Sequence, residues 1–316
     1  MKTFIYKTLA FLAFSLILIT AIFFLTFSTI NRKASFVLNE NIEYVILGHS
    51  HSEYAFNDAL IKKSKNLSQS AEAYFYTLIK LRRIISQNKN VNTVFIEFSN
   101  NQIDKKMDSW MFGEKYISEK LPLYSPFMEK EDIDFLYSNS PVYVRNTISK
   151  SFRKNLISMA SFNLNYIDRI GGYQKLERTL KNIDIQDLED SFNSTKVSSI
   201  QGELSDKNIE YLEKIIALCM LKNIKIYLVR SPKFKYYPFL KNEETYQWVK
   251  NTKFGEVELL DFSKYPSSIN EFADDSHLNS QGATKFSKFF NNLIENGMLD
   301  RMNKQDYINS QMLNDS

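Results

Sequence analysis

The chain has three histidines, and all lie in two short segments: His49 and His51 in GHSHSEY, and His277 in DDSHLNSQG. Ser50 stands between the first two, and Asp274 precedes His277 by one short spacer. These residue types suit nucleophilic catalysis. A serine hydroxyl attacks poorly until an imidazole takes its proton, and the imidazole works best when a carboxylate fixes its tautomer. Ser50 is therefore the candidate nucleophile, His277 the candidate base and Asp274 the candidate orienting acid. The same residues admit a second chemistry, because His-x-His after a first parallel strand also opens metal-dependent hydrolase sites, here with His49, His51, His277 and an aspartate as ligands. Such sites usually take further ligands from intermediate strands, and neither FSNN nor VRSPKF offers a histidine there. The expectation is a site with no metal and no cofactor.

For the chemistry to work, the two segments must meet, and the intervening sequence predicts how. EYVILGHS reads as a buried strand over Tyr44 to Leu47 that stops at Gly48. AEAYFYTLIKLRRIISQN places Tyr74, Leu78, Leu81 and Ile85 at helical spacing, and NTVFIEFSNN follows as a second apolar strand. Strand, helix, strand predicts a right-handed crossover and a parallel sheet. Ser205 is placed to cap the helix DKNIEYLEKIIALCMLKN. IKIYLVRSP is then a strand stopped by Pro232, VELLDFS a last short strand, and ATKFSKFFNNLIENG a closing helix. Open parallel sheets carry their sites at the carboxyl ends of the strands, so both histidine loops belong on one edge. From about Asp104 to Gly202 the pattern changes to aromatic-rich, charged helical stretches without a clear strand, a helical insertion. Its Phe112, Tyr116, Tyr124 and Phe127 either pack as core or line a groove.

The run from Thr8 to Ile30 carries no charge. At about 1.5 Å per residue it is long enough to cross a hydrocarbon core of about 30 Å. Bulky residues continue to its polar boundary, FLTFSTINRK, where a cleavage site would need small ones, so an uncleaved anchor is expected. Lys2, Lys7 and the amino terminus, against Arg32 and Lys33 beyond the run, slightly favour an N-terminus inside. The expected organisation is a cytoplasmic tip and transmembrane anchor over residues 1–33, then an α/β domain over 34–316 outside the cytoplasmic membrane, with the helical insertion at about 104–202. Lys+Arg at 40 against Asp+Glu at 36 is too balanced to make nucleic acid a partner. A hydrophobic content of 44% in 316 residues is ample for a packed core. The lone Cys219, in IIALCML, reads as a buried hydrophobe. Richness in Asn, Lys, Ile and Phe is the bias of an AT-rich bacterial genome.

Two of these segments carry a family resemblance. GHS at the first strand-to-helix turn resembles the GDS block of SGNH (GDSL-like) hydrolases, and DDSHLNSQG resembles their D-x-x-H-x-N-x-x-G block. The resemblance covers roughly Tyr44 to Asn101 and Leu204 to Asn296. It implies a flavodoxin-like three-layer α/β/α domain and an acyl-serine mechanism with Ser50, Asp274 and His277 in the roles above. It also implies an oxyanion hole. The block that usually ends a strand as G-x-N-D stands here as FSNN, which makes Asn100 the side-chain donor and Asn101 the fallback. The remaining block normally offers the backbone N–H of a glycine, but NLSQSAEAY has none, so Ser68 or Ala71 would donate instead. His49 replaces the usual residue before the nucleophile and His51 follows it; each either reaches the pocket or satisfies nearby backbone, and Ser52 or Glu53 would cap the helix that begins there. Membrane-tethered proteins of this kind move or remove acetyl and other acyl groups beside polysaccharide or lipid assembly. The implied partners are therefore an acylated cell-envelope glycan or lipid, the membrane through residues 8–30, and a membrane acyltransferase. A non-catalytic SGNH-like binding module is the alternative that the missing glycine favours.

Overall fold

The computed structural model of the chain describes residues 1–180, 182–194 and 204–314. Five short strands form one all-parallel sheet: β1 (Tyr44–Leu47), β2 (Ser64–Asn66), β3 (Thr93–Glu97), β4 (Lys225–Arg230) and β5 (Leu259–Asp261). Their order is β2-β1-β3-β4-β5, the flavodoxin-like order. Tyr44 stands opposite Thr93 and Ile46 opposite Phe95, so β1 and β3 end level with one another. The chain reverses its direction of winding between these two strands, and a crevice opens beyond their carboxyl ends.

The central strands are covered on both sides, which is why they read as unbroken apolar runs. Ile46, Phe95, Tyr227, Val229 and Leu260 pack with Phe286, Phe290 and Leu293 of the helix Ser280–Glu295 and with Met312 of the helix Lys304–Asn314. The alternating residues Val45, Val94, Ile96 and Leu228 are buried towards the other face. The helices Tyr74–Gln87 and Asp206–Leu221 pack together, with the Phe75 and Tyr211 rings 5.1 Å apart. Burying each such Leu or Phe contributes about 1.5–3 kcal/mol, enough for a stiff floor under the loops. Ser205 caps its helix as expected, accepting the Asn208 amide at 3.0 Å. Cys219 is buried among these residues, and burial pushes its thiol up to about 12. The strand β2 carries no signal in the sequence, because Ser64, Lys65 and Asn66 form a polar three-residue edge with no apolar run.

The chain divides into two compact units, one of Met1–Phe36 with Phe112–Arg169 and one of Val37–Met111 with Ile170–Ser316. The sheet lies in the second. Of the stretch about 104–202, Phe112–Arg169 thus belongs with the N-terminal helix, and residues 181 and 195–203 lie outside the described residues. The first unit is helical, with Lys2–Lys33, Glu114–Tyr124, Lys130–Asn139 and Pro141–Ala160 as its main elements. Tyr124 and Phe127 are core here, and the Phe127 ring meets Phe36 at 5.0 Å and Tyr166 at 4.8 Å. Phe112 and Tyr116 are half-buried. The helix Lys2–Lys33 is long and apolar enough to cross a membrane.

Candidate active site

Gly48 ends β1 with φ +151°, and a Cβ there would stand 2.4 Å from Glu97 Cβ and 2.5 Å from Ser52 Oγ. Only glycine lets the strand leave the sheet this close to β3. The next residue, His49, is buried and caps the helix Ser50–Ala55 with its own ring, Nδ1 accepting the His51 amide at 3.5 Å. This differs from the capping expected of Ser52 or Glu53. Ser52 donates to the His49 carbonyl at 3.2 Å, and Glu53 receives the Ser70 hydroxyl. Ser50 is left as the first residue of the helix, half-buried, with its hydroxyl 3.5 Å from His49 Nδ1.

The second loop is held by the last two letters of its motif. Asn279 caps the helix Ser280–Glu295 by accepting the Gln281 and Gly282 amides, both at 3.0 Å, and donates to the Asn270 carbonyl at 2.6 Å. A Cβ on Gly282 would stand 2.2 Å from the Glu271 carbonyl, so glycine alone allows this close approach. With the loop base fixed, Asp274 Oδ1 accepts the Ser276 and His277 amides at 2.9 Å and faces His277 Nδ1 at 2.8 Å. His277 Nε2 lies 2.8 Å from Ser50 Oγ. With the carboxylate accepting from Nδ1–H, Nε2 is the nitrogen free to take the serine proton. Burial pulls the Asp274 carboxyl upward, but the hydrogen bond and charge of His277, the Ser276 amide and Arg178 outweigh it and hold the group down at about 2. Asp274 is ionised at neutral pH.

Asn100 and Asn101 both follow β3 but have different partners. Asn100 is fully buried; its Oδ1 accepts from Arg230 at 2.5 Å and its Nδ2 donates to Glu243 at 3.0 Å. Asn101 is tied to the Ser50 turn instead. His49 Nε2 contacts Ser99 Oγ at 2.9 Å, and Ser99 Oγ donates to Asn101 Oδ1 at 2.7 Å. Since Ser99 donates onward, it accepts from His49 Nε2–H, and that tautomer leaves Nδ1 as the acceptor that caps the helix. Burial first, and then the neighbouring His51, keeps His49 well below the usual histidine range and so neutral. Asn101 Nδ2 has no hydrogen-bond partner among the described residues.

Ser68 and Ala71 separate in the same way. The Ser68 amide donates to Asn66 Oδ1 at 2.9 Å, whereas the Ala71 amide has no partner among the described residues. Ala71 also has φ +51°, the left-handed conformation that favours glycine. This loop lacks a glycine in sequence but keeps a glycine-like backbone. A buried ion pair holds it, with Lys80 Nζ at 2.7 Å from Glu72 and 2.5 Å from the Leu67 carbonyl. Ala71→Gly should therefore raise the melting temperature slightly or leave it unchanged: relief of about 1–2 kcal/mol of left-handed strain exceeds the roughly 0.4–1 kcal/mol lost to a freer unfolded chain. Calorimetry of the two proteins checks this, and a clearly lower Tm would mean that the alanine methyl packs better than its backbone suggests.

Beneath the site lies a group that sequence reasoning missed. Glu97, fully buried at the end of β3, accepts the Ser231 hydroxyl, and His51 Nδ1 and Lys233 Nζ stand 3.7 Å and 3.9 Å from it. Burial drives Lys233 down to about 7 against the pull of Glu97, and burial keeps His51 well below the usual histidine range. The His51 ring lies 4.2 Å from that of His49 and 5.5 Å from that of His277, so all three imidazoles converge. Donor atoms of His49, His51 and Glu97 lie within 4.8 Å of one another. The available signal was a charge closing an apolar strand, in VFIEF and again in YLVRSPK.

Residues 136–299 match a family model that carries no description of an activity, and the chain belongs to that family. No curated protein matches the chain. Among solved structures it resembles a proposed acylhydrolase from Bacteroides fragilis, at 11% identity over 90% of this chain and 95% of that one, with a TM-score of 0.36. It also resembles a proposed platelet activating factor from Streptococcus pneumonia, at 12% identity over 87% of this chain and 96% of that one, with a TM-score of 0.38.

Proposed function

We propose that the chain is a membrane-anchored, SGNH-like enzyme that hydrolyses or transfers an acyl ester through an acyl-Ser50 intermediate. The observation that carries this reading is the relay itself, Asp274 to His277 to Ser50 with both contacts at 2.8 Å, set at the carboxyl edge of a parallel sheet. Ser50 Oγ attacks the ester carbonyl as His277 Nε2 takes its proton, and the imidazolium that forms is stabilised by ionised Asp274. The tetrahedral oxyanion is met by the Ala71 amide and Asn101 Nδ2, the two donors left without partners, in preference to Ser68 and Asn100. His277 returns the proton to the leaving alcohol, and then activates water or an acceptor hydroxyl to release the acyl group. The Asp274–His277–Ser50 arrangement also weighs against a non-catalytic binding module, which has no use for an imidazole set to take a serine proton.

The anchor supports a substrate at the membrane: an acyl ester, acetyl among the candidates, on a cell-envelope glycan or lipid, with a membrane acyltransferase as the partner that supplies or receives the group. The flanking charges support an extracytoplasmic catalytic unit. The test of the activity is labelling of the full-length protein by a fluorophosphonate, with hydrolysis of a short-chain aryl ester as a second readout. A metal-dependent reading has one observation in its favour, the proximity of His49, His51 and Glu97. His49 Nε2 is already engaged by Ser99, however, and the Lys233 side chain adjoins the Glu97 carboxylate, so the donor set is poorly suited to a cation. Loss of turnover in chelator with recovery on added zinc would reverse that preference.

A further inference from the structure

The helix Pro141–Ala160 is inverted relative to an ordinary surface helix. Its buried positions are Val144, Thr147, Ser151, Asn155 and Ser158, mostly small and polar. They are tied inward, Ser151 Oγ to Ser125 Oγ at 2.7 Å and Asn155 Nδ2 to the Pro122 carbonyl at 3.0 Å. The outward positions carry the apolar residues instead, among them Val142, Ile148 and Ile157, the last 60% exposed. Just past the helix, Phe162 is 87% exposed and has φ +54°, an unfavourable backbone for an aromatic residue. Arg145, Arg153 and Lys154 stand exposed among these residues with no acidic partner among the described residues, and the helix contains no Asp or Glu. Cations interleaved with apolar side chains and no anion mark a helix that lies on an anionic lipid surface.

The N-terminal helix identifies the occupant of this face. The ring of Phe23, inside the uncharged run, packs at a tilt 5.4 Å from that of Phe152 of Pro141–Ala160, and Thr26 and Ile30 of the same run are buried. Phe23 lies about two thirds of the way along that run and Ile30 ends it, so the packed turns extend from within the acyl region out to the membrane boundary and hold Pro141–Ala160 against that side of the bilayer. We infer that Pro141–Ala160 and the Phe162 turn form an interfacial platform on the bilayer that holds the anchor, with Arg145, Arg153 and Lys154 on lipid phosphates and Ile157 and Phe162 at the acyl boundary. This rests on the anchor reading above.

The test places the full chain in nanodiscs containing phosphatidylglycerol and attaches an environment-sensitive dye to single cysteines, native Cys219 being buried. Ile157→Cys and Phe162→Cys should give blue-shifted emission, most of it quenched by lipids spin-labelled near the headgroup. Leu16→Cys should be quenched by labels at the bilayer centre, and exposed Leu221→Cys should keep an aqueous spectrum. Combined Arg145→Glu, Arg153→Glu and Lys154→Glu should remove most of the quenching at both platform positions. Ser149→Cys, outward on the same helix, substitutes if either platform variant fails to fold. Aqueous spectra at the platform positions with Leu16→Cys quenched would overturn the platform and leave the anchor standing; an aqueous Leu16→Cys would overturn both. Quenching unchanged by the charge reversals would overturn the assignment to lipid phosphate.

Discussion

Ser50→Ala is expected to abolish fluorophosphonate labelling and to lower ester turnover by about 10⁴- to 10⁶-fold, because Ser50 Oγ is the hydroxyl held at 2.8 Å from His277 Nε2. His277→Ala should be as severe, since nucleophile and base act as one unit. Asp274→Asn should leave somewhat more activity, on the order of 10⁴-fold below wild type, because the amide keeps the loop geometry but no longer holds the imidazole in its tautomer. Melting temperatures should stay close to wild type for Ser50→Ala, whose half-buried hydroxyl has, besides His277, only a long contact of 3.5 Å with His49 Nδ1. Probe labelling and aryl-ester hydrolysis by the full-length protein check the series. Full turnover in Ser50→Ala, with loss in His49→Ala and recovery by zinc, would move the chemistry to the histidine and glutamate cluster.

The two asparagines after β3 should separate catalysis from stability. Asn101→Ala removes the unpaired amide donor and should lower kcat by about 10²–10³, the usual effect of losing one oxyanion contact, with a smaller stability loss of about 1 kcal/mol because buried Ser99 loses one acceptor. Asn100→Ala should do the opposite. It leaves buried Arg230 without one acceptor and Glu243 without one donor, which costs about 2–3 kcal/mol of stability, while the folded fraction keeps most of its turnover. A loop asparagine near a site would ordinarily be expected to matter little to stability. Full burial with both amide atoms engaged by an ion pair reverses that expectation for Asn100. Single-turnover kinetics beside thermal denaturation distinguish the two residues. A collapse of kcat in Asn100→Ala with unchanged Tm, and no effect in Asn101→Ala, would exchange their roles.

The sheet was legible in the sequence because its signals are local: apolar runs covered on both faces, a glycine at the exit of β1, and serine and asparagine caps at helix starts. The candidate relay was legible for a related reason. Three histidines in two strand-end loops can meet only if those loops share one edge, and a parallel sheet puts them there. Other features depend on pairings between distant segments. The polar edge β2 forms because β1 offers it a ladder, and nothing in Ser64, Lys65 and Asn66 announces a strand. Asn100 and Asn101 are identical as letters, and only the positions of Arg230 and Glu243 on one side and of Ser99 and His49 on the other separate them. Ala71 has the alanine letter with a glycine's backbone, imposed by a loop fastened through Lys80 and Glu72. Glu97 and Lys233 lie far apart along the chain and become a buried pair only when β3 and β4 align in register. The sequence by itself determined which side chains were available and which strands would carry them. Only the tertiary structure decided which donors were already engaged, because hydrogen bonds depend on direction and distance between segments that the order of residues does not encode.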